Sequence, residues 1–147
     1  MNLRYSVADT SLSEQLFNLE IQSFPNEYWS LESIKSEISK DNCICIVAYY
    51  NDKIVGYLFS SFVYDESELN RIAVLNEFRN RKIGNSLIKY LIDILHNHSC
   101  KTLFLEVRES NKSAIKLYKN IGFKKNGIRN NYYKKPTENA VLMSLKL

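Results

Sequence analysis

The stretch Leu105-Glu106-Val107-Arg108-Glu109-Ser110-Asn111 decides how this chain is interpreted, because it sets one carboxylate in an otherwise apolar segment. The apolar residues around that carboxylate predict a buried strand over 103–107, so Glu106 needs either a partner or a chemical task. Asn111 is a favourable N-cap, and Tyr118 follows about two turns along the helix that this cap predicts. The segment therefore predicts a strand, a turn and a helix that carry a carboxylate and a phenol.

The composition favours one folded unit. With 147 residues, 45% of them hydrophobic, the chain is long enough to bury a single core. Four Gly and two Pro leave little room for disorder, so we expect one domain over residues 1–147. The first residues lack the apolar core of a signal peptide, and no apolar run approaches the ~20 residues of a membrane helix. We therefore expect a soluble, cytoplasmic protein that has no membrane partner.

The charged and metal-binding residue types argue against two other function classes. The 20 Lys and Arg residues against 16 Asp and Glu give a net charge of +4, which is too mild to indicate nucleic-acid binding. The three cysteines are expected to be reduced core thiols, two of them, Cys43 and Cys45, on the same face of a strand. His96 and His98 lack Cys or Asp partners at ligand spacing, so we expect no metal site.

Hydrophobic periodicity predicts a mixed α/β fold in which two strand–helix units feed one sheet. The predicted strands span residues 3–7, 43–50, 53–64, 68–74, 103–107, 123–133 and 139–147. Helices are predicted after a capping box at 11–14, after an N-cap at Ser30, over 86–95 and over 111–121. No internal repeat or low-complexity segment interrupts this pattern.

A basic loop precedes the helix predicted over 86–95. The free N–H groups and positive dipole of a helix N-terminus suit a phosphate, and Arg79, Arg81 and Lys82 add charge there. The segment is not a P-loop, because the Gly-Lys-Ser/Thr ending is absent. Two interpretations stand at this point, a site for a phosphorylated ligand and a solvated basic turn.

Glu106 and Tyr118 suit an acyl transfer if the ligand of the basic loop is a phosphate-bearing thioester. The attacking amine must lose a proton and the leaving thiolate must gain one. Partial burial is expected to raise the pKa of Glu106 toward usefulness as a base, and Tyr118 can supply the acid. The alternative is structural: Glu106 pairs with Arg108 or a lysine, and Tyr118 only packs.

A run of residues from about 24 to 143 recurs in the order and spacing of one enzyme family. The run comprises Phe24-Pro25, Trp29-Ser30, Asp65-Glu66, Leu69, Ile72-Ala73-Val74, Arg79 to Gly84, Leu105 to Arg108, Ser110-Asn111, Ala114-Ile115, Leu117-Tyr118, Gly122-Phe123, Arg129, Asn131-Tyr132-Tyr133, Glu138, Ala140 and Met143. On these residues the chain resembles the GCN5-related N-acetyltransferase (GNAT) superfamily. The resemblance implies a mostly antiparallel central sheet flanked by about four helices, and acetyl-CoA as the co-substrate.

The resemblance also implies a role for each matching position. Glu106 would be the general base and Tyr118 the general acid. Coenzyme contacts would come from the acetyl and pantetheine strand at Ile72, Ala73 and Val74, from the pyrophosphate loop at Arg79, Asn80, Arg81, Lys82, Ile83 and Gly84, and from Asn111. The acceptor groove would include Trp29, Tyr132, Tyr133 and Glu138.

The acceptor implied by the resemblance is the N-terminal alanine of a ribosomal small-subunit protein. An α-amine, with a pKa of about 7.7–8.0, is far more often neutral at pH 7 than a lysine with a pKa of about 10.4, so a modest base suffices. Asp65, Glu66 and Glu68 would either meet such a basic partner or form a solvated turn. A lysine or small-molecule acetyltransferase and a non-catalytic acyl-CoA-binding module are the alternatives.

Two positions depart from the family pattern. Lys82 stands where the loop usually has its first glycine. A negative φ at Lys82 would let the lysine replace that glycine and add charge, whereas a positive φ would strain it and weaken coenzyme binding. Asn139 stands where Asp is common, which weakens the case for an acidic substrate pocket.

Overall fold

The computed structural model describes residues 2–147 as one seven-stranded sheet with helices on both faces. The strands are β1 Leu3–Val7, β2 Cys43–Tyr50, β3 Lys53–Val63, β4 Glu66–Val74, β5 Thr102–Arg108, β6 Lys124–Lys134 and β7 Thr137–Lys146. The helices are α1 Ser13–Ser23, α2 Leu31–Ile38, α3 Ile83–Asn97 and α4 Lys112–Ile121. The sheet order is β1-β2-β3-β4-β5-β7-β6, and only β4 and β5 pair in parallel. The predicted fold class is confirmed.

Side-chain caps mark the starts of two of the four helices, α2 and α4. Ser30 accepts a hydrogen bond from the Ser33 amide at 3.1 Å, and Asn111 accepts one from the Ala114 amide at 3.2 Å, as predicted. The predicted capping box at 11–14 is wrong. Asp9 accepts from the Ser11 amide at 2.9 Å and caps a 3₁₀ turn over 10–12, so α1 begins only at Ser13.

Two hydrophobic cores lie on opposite faces of the sheet. Helices α3 and α4 cover one face, where fully buried side chains include Leu58, Leu91 and Leu103. Helices α1 and α2 pack on the other face against β2, β3 and β4, over Tyr57 and Phe59. On that second face, β5 keeps accessible side chains at alternate positions because α1 and α2 pack over the neighbouring strands.

The parallel pairing of β4 with β5 ends halfway along both strands. It runs from Glu66 opposite Thr102 to Leu69 opposite Leu105. At the next residue, Asn70, β4 carries a bulge against β3, which bends the strand and increases its twist. Beyond the bulge β4 stays paired with β3, and β5 stays paired with β7. The two strands therefore separate, and a crevice opens at their carboxyl ends.

The cysteines match the sequence expectation. Cys45 and Cys100 are buried, Cys43 is half-buried, and all three are free thiols. Burial raises the pKa of Cys43 to about 11, so its thiol stays protonated and poorly reactive at neutral pH.

Candidate active site

The crevice between β4 and β5 continues into a cavity of about 810 Å³. Its walls come from β4, β5, α4, the loop between α1 and α2, and the β6–β7 hairpin. Of the residues predicted to form the site, those that line the cavity are Trp29, Ile72, Glu106, Asn111, Tyr118, Tyr132 and Tyr133. The sheet thus brings together side chains that are up to about a hundred positions apart in the chain.

Glu106 lines the cavity from β5, on the face that carries α1 and α2. Its side chain keeps 31% of its surface exposed, and its Oε2 lies 3.6 Å from Nη1 of Arg129, which is itself 55% exposed. The expectation of a buried carboxylate is wrong, because the helices on this face pack over the neighbouring strands. The alternative pairing with Arg108 is wrong as well, since Arg129 is the cation at Glu106.

Tyr118 lines the same cavity from α4 and is only 5% exposed. Its ring centroid lies 5.6 Å from that of Phe123. Burial, with a smaller contribution from Tyr133, raises the pKa of Tyr118 well above the ordinary value for a phenol. The hydroxyl therefore stays protonated at neutral pH, which is the form that a proton donor needs.

The three residues at 72–74, which are predicted to contact the acetyl and pantetheine part of the coenzyme, divide between the cavity and the two cores. Ile72 lines the cavity, whereas Ala73 is buried with the α1–α2 core and Val74 packs against the α3–α4 core. Since β4 has left β5 at this point, the backbone of 72–74 has no strand partner on the crevice side. A ligand in the crevice would meet that backbone and the Ile72 side chain.

The basic segment over 79–84 follows β4 at the open end of the crevice. Its last two residues, Ile83 and Gly84, already belong to α3, which begins three residues before the predicted start at 86. Arg79 donates from Nε to the carbonyl oxygen of Val74 at 3.2 Å, so it ties the loop to the end of β4. Ile83 is 2% exposed and its side chain belongs to the core, which leaves only its backbone for a ligand. The guanidinium of Arg81 lies 5.1 Å from the centroid of the Phe78 ring.

Lys82 and Gly84 shape the start of α3. Lys82 is the N-cap with φ +61°, and its side chain makes no capping hydrogen bond. The positive φ is the strained alternative of the two considered, and a non-glycine residue there costs about 1–2 kcal/mol. Asn80 also has a positive φ, of 63°. At Gly84 a Cβ would lie 3.3 Å from Cδ2 of Leu117, so the glycine lets α3 approach α4.

A bulge in β6 turns two aromatic side chains toward the cavity. Between the pairs Arg129–Ala140 and Tyr133–Glu138, three residues of β6 oppose Asn139 alone. Asn139 accepts from the Asn131 amide at 2.9 Å, so the residue that departs from the family pattern has a structural task here.

The two tyrosines that follow this bulge differ in exposure. The rings of Tyr132 and Tyr133 contact each other edge to face, with centroids 5.1 Å apart. Tyr132 remains 42% exposed, whereas Tyr133 is half-buried. Burial and the nearby Glu106 carboxylate raise the pKa of Tyr133 to about 12. The Tyr133 phenol is therefore neutral at physiological pH, and the two rings form an amphipathic wall.

Glu138 is not among the residues that line the cavity. Its carboxylate accepts from the Ser110 amide at 2.5 Å and lies 3.3 Å from Nη1 of Arg108. The Ser110 hydrogen bonds and the Arg108 guanidinium lower the pKa of Glu138. Glu138 thus joins the β6–β7 hairpin to the turn after β5.

Sequence reasoning missed the charged residues that hold the loop over 24–29. Arg71 lines the cavity and pairs with buried Glu20, and Arg108 pairs with Glu27 of the loop at 2.8 Å. One signal was present: Glu20 lies four positions after Leu16, so it falls on the apolar face of α1. A carboxylate at such a position requires a partner.

The acidic residues at the start of β4 divide between two cavities. Glu68 lines the main cavity, and Glu66 and Glu68 both line an adjoining cavity of about 220 Å³. Asp65 lines neither, and its carbonyl oxygen accepts from the Lys101 amide at 2.7 Å.

Among residues 2–147, no group of three or more His, Cys, Asp or Glu side chains is arranged to hold a metal ion. No helix formed by those residues combines the length and apolar character of a membrane span.

Comparisons with known proteins agree with the geometry. The sequence model of the Acetyltransferase (GNAT) family matches residues 13–123. The chain is 41% identical over 101 residues to the ribosomal protein bS18-alanine N-acetyltransferase of Salmonella typhimurium, which covers 66% of this chain and 67% of that protein. It is 37% identical over 137 residues to the protein of the same name from Haemophilus influenzae. The aligned region covers 91% of this chain and 92% of that protein.

A solved structure is similar over almost the whole chain. The crystal structure of the ribosomal-protein-S18-alanine N-acetyltransferase from Escherichia coli superposes with a TM-score of 0.91 at 30% identity, covering 99% of this chain and 94% of that one. The resemblance carried by 72–74, by the loop over 79–84 and by the stretch from Leu105 to Asn111 is thereby confirmed at the level of the family. The family model matches about three quarters of the chain, and the sheet opens between β4 and β5. This chain therefore belongs to the Acetyltransferase (GNAT) family.

Proposed function

We propose that this protein transfers the acetyl group of acetyl-CoA to the N-terminal α-amine of a ribosomal small-subunit protein that begins with alanine. One observation carries the proposal. Glu106 and Tyr118 line one cavity where the sheet opens, in a chain 37–41% identical to proteins named bS18-alanine N-acetyltransferases. Residues 1–147 would act as one domain, in the cytoplasm where ribosomal proteins are made.

The residues at the open end of the crevice fit acetyl-CoA. Side chains cap α2 and α4, whereas α3 begins without such a cap, so its first amides are available to a pyrophosphate. Arg81 and Lys82 add positive charge beside those amides. The unpaired backbone of 72–74 offers hydrogen bonds to the pantetheine arm, and Asn111 lines the same cavity from the start of α4.

Acetyl-CoA, when bound, supplies the acetyl group as a thioester whose carbonyl carbon the amine attacks and whose thiolate leaves. In this proposal the Glu106 carboxylate accepts the proton that the amine nitrogen loses as its bond to carbon forms. Tyr118 donates its phenolic proton to the sulfur as the carbon–sulfur bond breaks, and its high pKa keeps that proton in place until then. Backbone N–H groups at 72–74 would stabilise the carbonyl oxygen while it carries negative charge.

The charges around the cavity favour a cationic protein as acceptor. Four glutamates line the cavity against two arginines, Arg71 and Arg108, so the lining carries a net negative charge. The glutamates are Glu27, Glu37, Glu68 and Glu106. Trp29, Tyr132 and Tyr133 would contact the first residues of the acceptor chain, while Glu138 would act only through the hairpin that it anchors. An α-amine fits a modest base better than lysine does, because its pKa is lower by about 2–3 units.

The test follows thiol release and peptide mass when the purified protein meets acetyl-CoA and an alanine-starting ribosomal peptide. A matched peptide with a blocked N-terminus and an internal lysine serves as the control. We expect one acetyl group on the free α-amine and none on the control. Acetylation of the control peptide would move the assignment to lysine. Binding of acetyl-CoA without acetylation of either peptide would favour a non-catalytic module.

A further inference from the structure

A buried ion pair lies beneath the acceptor side of the cavity. Glu20 of α1 is 1% exposed, and its carboxylate accepts from Nε of Arg71 at 3.0 Å and from Nη2 at 2.5 Å. It also accepts from the Trp29 amide at 2.8 Å and from the Tyr57 hydroxyl. This set of donors offsets the cost of burying the carboxylate, and losing one partner would be strongly destabilising.

Arg71 uses its remaining surface to hold the loop over 24–29. Its Nη2 donates to the carbonyl oxygen of Glu27 at 2.8 Å. Its guanidinium carbon lies 3.7 Å from the centroid of the Phe24 ring and 5.2 Å from that of Trp29. The loop is therefore held at its start, middle and end by one arginine and the glutamate paired with it.

The same arginine is part of the crevice wall. Arg71 lines the cavity, follows the bulge at Asn70 and precedes Ile72, whose backbone faces the crevice. Phe24 and Trp29 line the cavity opposite this strand. The Glu20–Arg71 pair therefore holds the loop against β4, and the Arg108–Glu27 pair holds the same loop against β5.

We propose that Glu20 and Arg71 are positioning residues that fix the loop over 24–29 and thereby limit the size of the first side chain of the acceptor. The pocket-size part rests on the proposed function, whereas the loop-fixing part does not. A planar guanidinium can pair with a carboxylate, bond a carbonyl and stack on an aromatic ring at once, which an ammonium group cannot do.

The test variant is the double substitution Glu20→Gln with Arg71→Met. It removes both charges together, so no unpaired charge stays buried. The Gln oxygen can still accept from the Trp29 amide, while its NH2 group donates to the oxygen of the Tyr57 hydroxyl. Arg71→Lys serves as a graded variant, because it keeps the charge but loses the fork and the stacking. Lys89→Met, which removes an exposed cation on α3 and lies outside the cavity, is the matched control.

Loop order can be measured without any activity, because Trp29 is the only tryptophan in the chain. With circular dichroism confirming the fold, we expect acrylamide quenching of Trp29 fluorescence to rise about twofold in the double variant and to stay unchanged in Lys89→Met. Quenching equal to that of the unsubstituted protein in a folded double variant would overturn the loop-fixing part, even if no peptide were ever acetylated.

Kinetics test the pocket-size part. We compare two peptides that differ only in their first residue, alanine or leucine, and measure KM for each and for acetyl-CoA. The double variant should raise the KM for the alanine peptide about fivefold and lower the alanine-over-leucine preference about threefold, with KM for acetyl-CoA unchanged. Arg71→Lys should fall between. An unchanged preference in an active, folded double variant would overturn the proposal, whereas inactivity of the unsubstituted protein with both peptides would count against the proposed function instead.

Discussion

Glu106 and Tyr118 line one cavity in opposite environments: the Glu106 carboxylate lies on the accessible side of β5, and the Tyr118 ring is buried against α4 and Phe123. This asymmetry suits two proton transfers in opposite directions. A carboxylate near solvent can pass on the proton that it takes from an amine, whereas a buried phenol keeps its proton until a thiolate forms beside it.

Replacing either group should remove catalysis and leave the fold intact. Glu106→Gln and Tyr118→Phe should each lower turnover by ~10²-fold or more, as expected for lost acid–base function, with little change in acetyl-CoA affinity. Thiol release under saturating peptide measures the loss, and calorimetric titration measures the affinity. Glu109→Gln and Tyr90→Phe, which lie outside the cavity, are the matched controls. Near-normal rates in both catalytic variants would remove this mechanism.

The pH profile should show an ascending limb and a late descending one. The value of kcat/KM should rise as the free α-amine deprotonates, with a pKa of about 7.7–8.0. Because burial raises the pKa of Tyr118 above its usual value, the acid stays protonated through pH 10 and no loss of rate is expected below that point. A descending limb near pH 9 in kcat, measured with a peptide whose side chains do not titrate there, would contradict this assignment.

The protein should be less stable with lysine at position 82 than with glycine there. Its φ of +61° favours glycine, so Lys82→Gly should raise the free energy of unfolding relative to Lys82→Ala by about 1 kcal/mol. Both variants lose the same charge, which isolates the backbone effect. Urea unfolding of the two variants gives the difference, and equal stabilities would show that the lysine is not strained.

The same pair of variants separates backbone from charge in coenzyme binding. If the positive φ hinders approach of the pyrophosphate, Lys82→Gly should bind acetyl-CoA about threefold more tightly than Lys82→Ala. The unsubstituted lysine should lose more affinity than either variant between low and high salt, because its charge is screened. A titration at two ionic strengths measures both effects.

Glu68 should matter for long basic acceptors and not for short ones. It lines the main cavity and the adjoining smaller one, so a cationic residue a few positions after the acetylated amine can reach it. Glu68→Lys should raise the KM of a basic eight-residue peptide about fivefold at low salt, and high salt should shrink the difference. Asp93→Lys, on the exposed face of α3, is the control for net charge. Equal effects of the two substitutions would contradict a local role for Glu68.

Local sequence determined the elements and most of their ends. The alternation in β7, the amphipathic pattern of α3 and the caps at Ser30 and Asn111 act over a few residues, so they are readable without the fold. The capping box at 11–14 failed for a local reason, since Asp9 competes for the same amides. Glu106 and Tyr118 were found because a carboxylate in an apolar strand and a phenol on the next helix stand out in sequence.

Only the tertiary structure decided the environment of those residues and the devices that hold the site. Whether Glu106 is buried depends on which strands α1 and α2 cover. The separation of β4 from β5 depends on the bulge at Asn70, which exists only through the pairing of β4 with β3 and β5. Glu20 and Arg71 are 51 positions apart, and their pairing exists only once α1 packs on β4. Sequence by itself determined the chemistry available and its order along the chain. Distances, burial and strain were decided by long-range packing, because a side chain's neighbours come from segments that its own sequence neighbourhood does not contain.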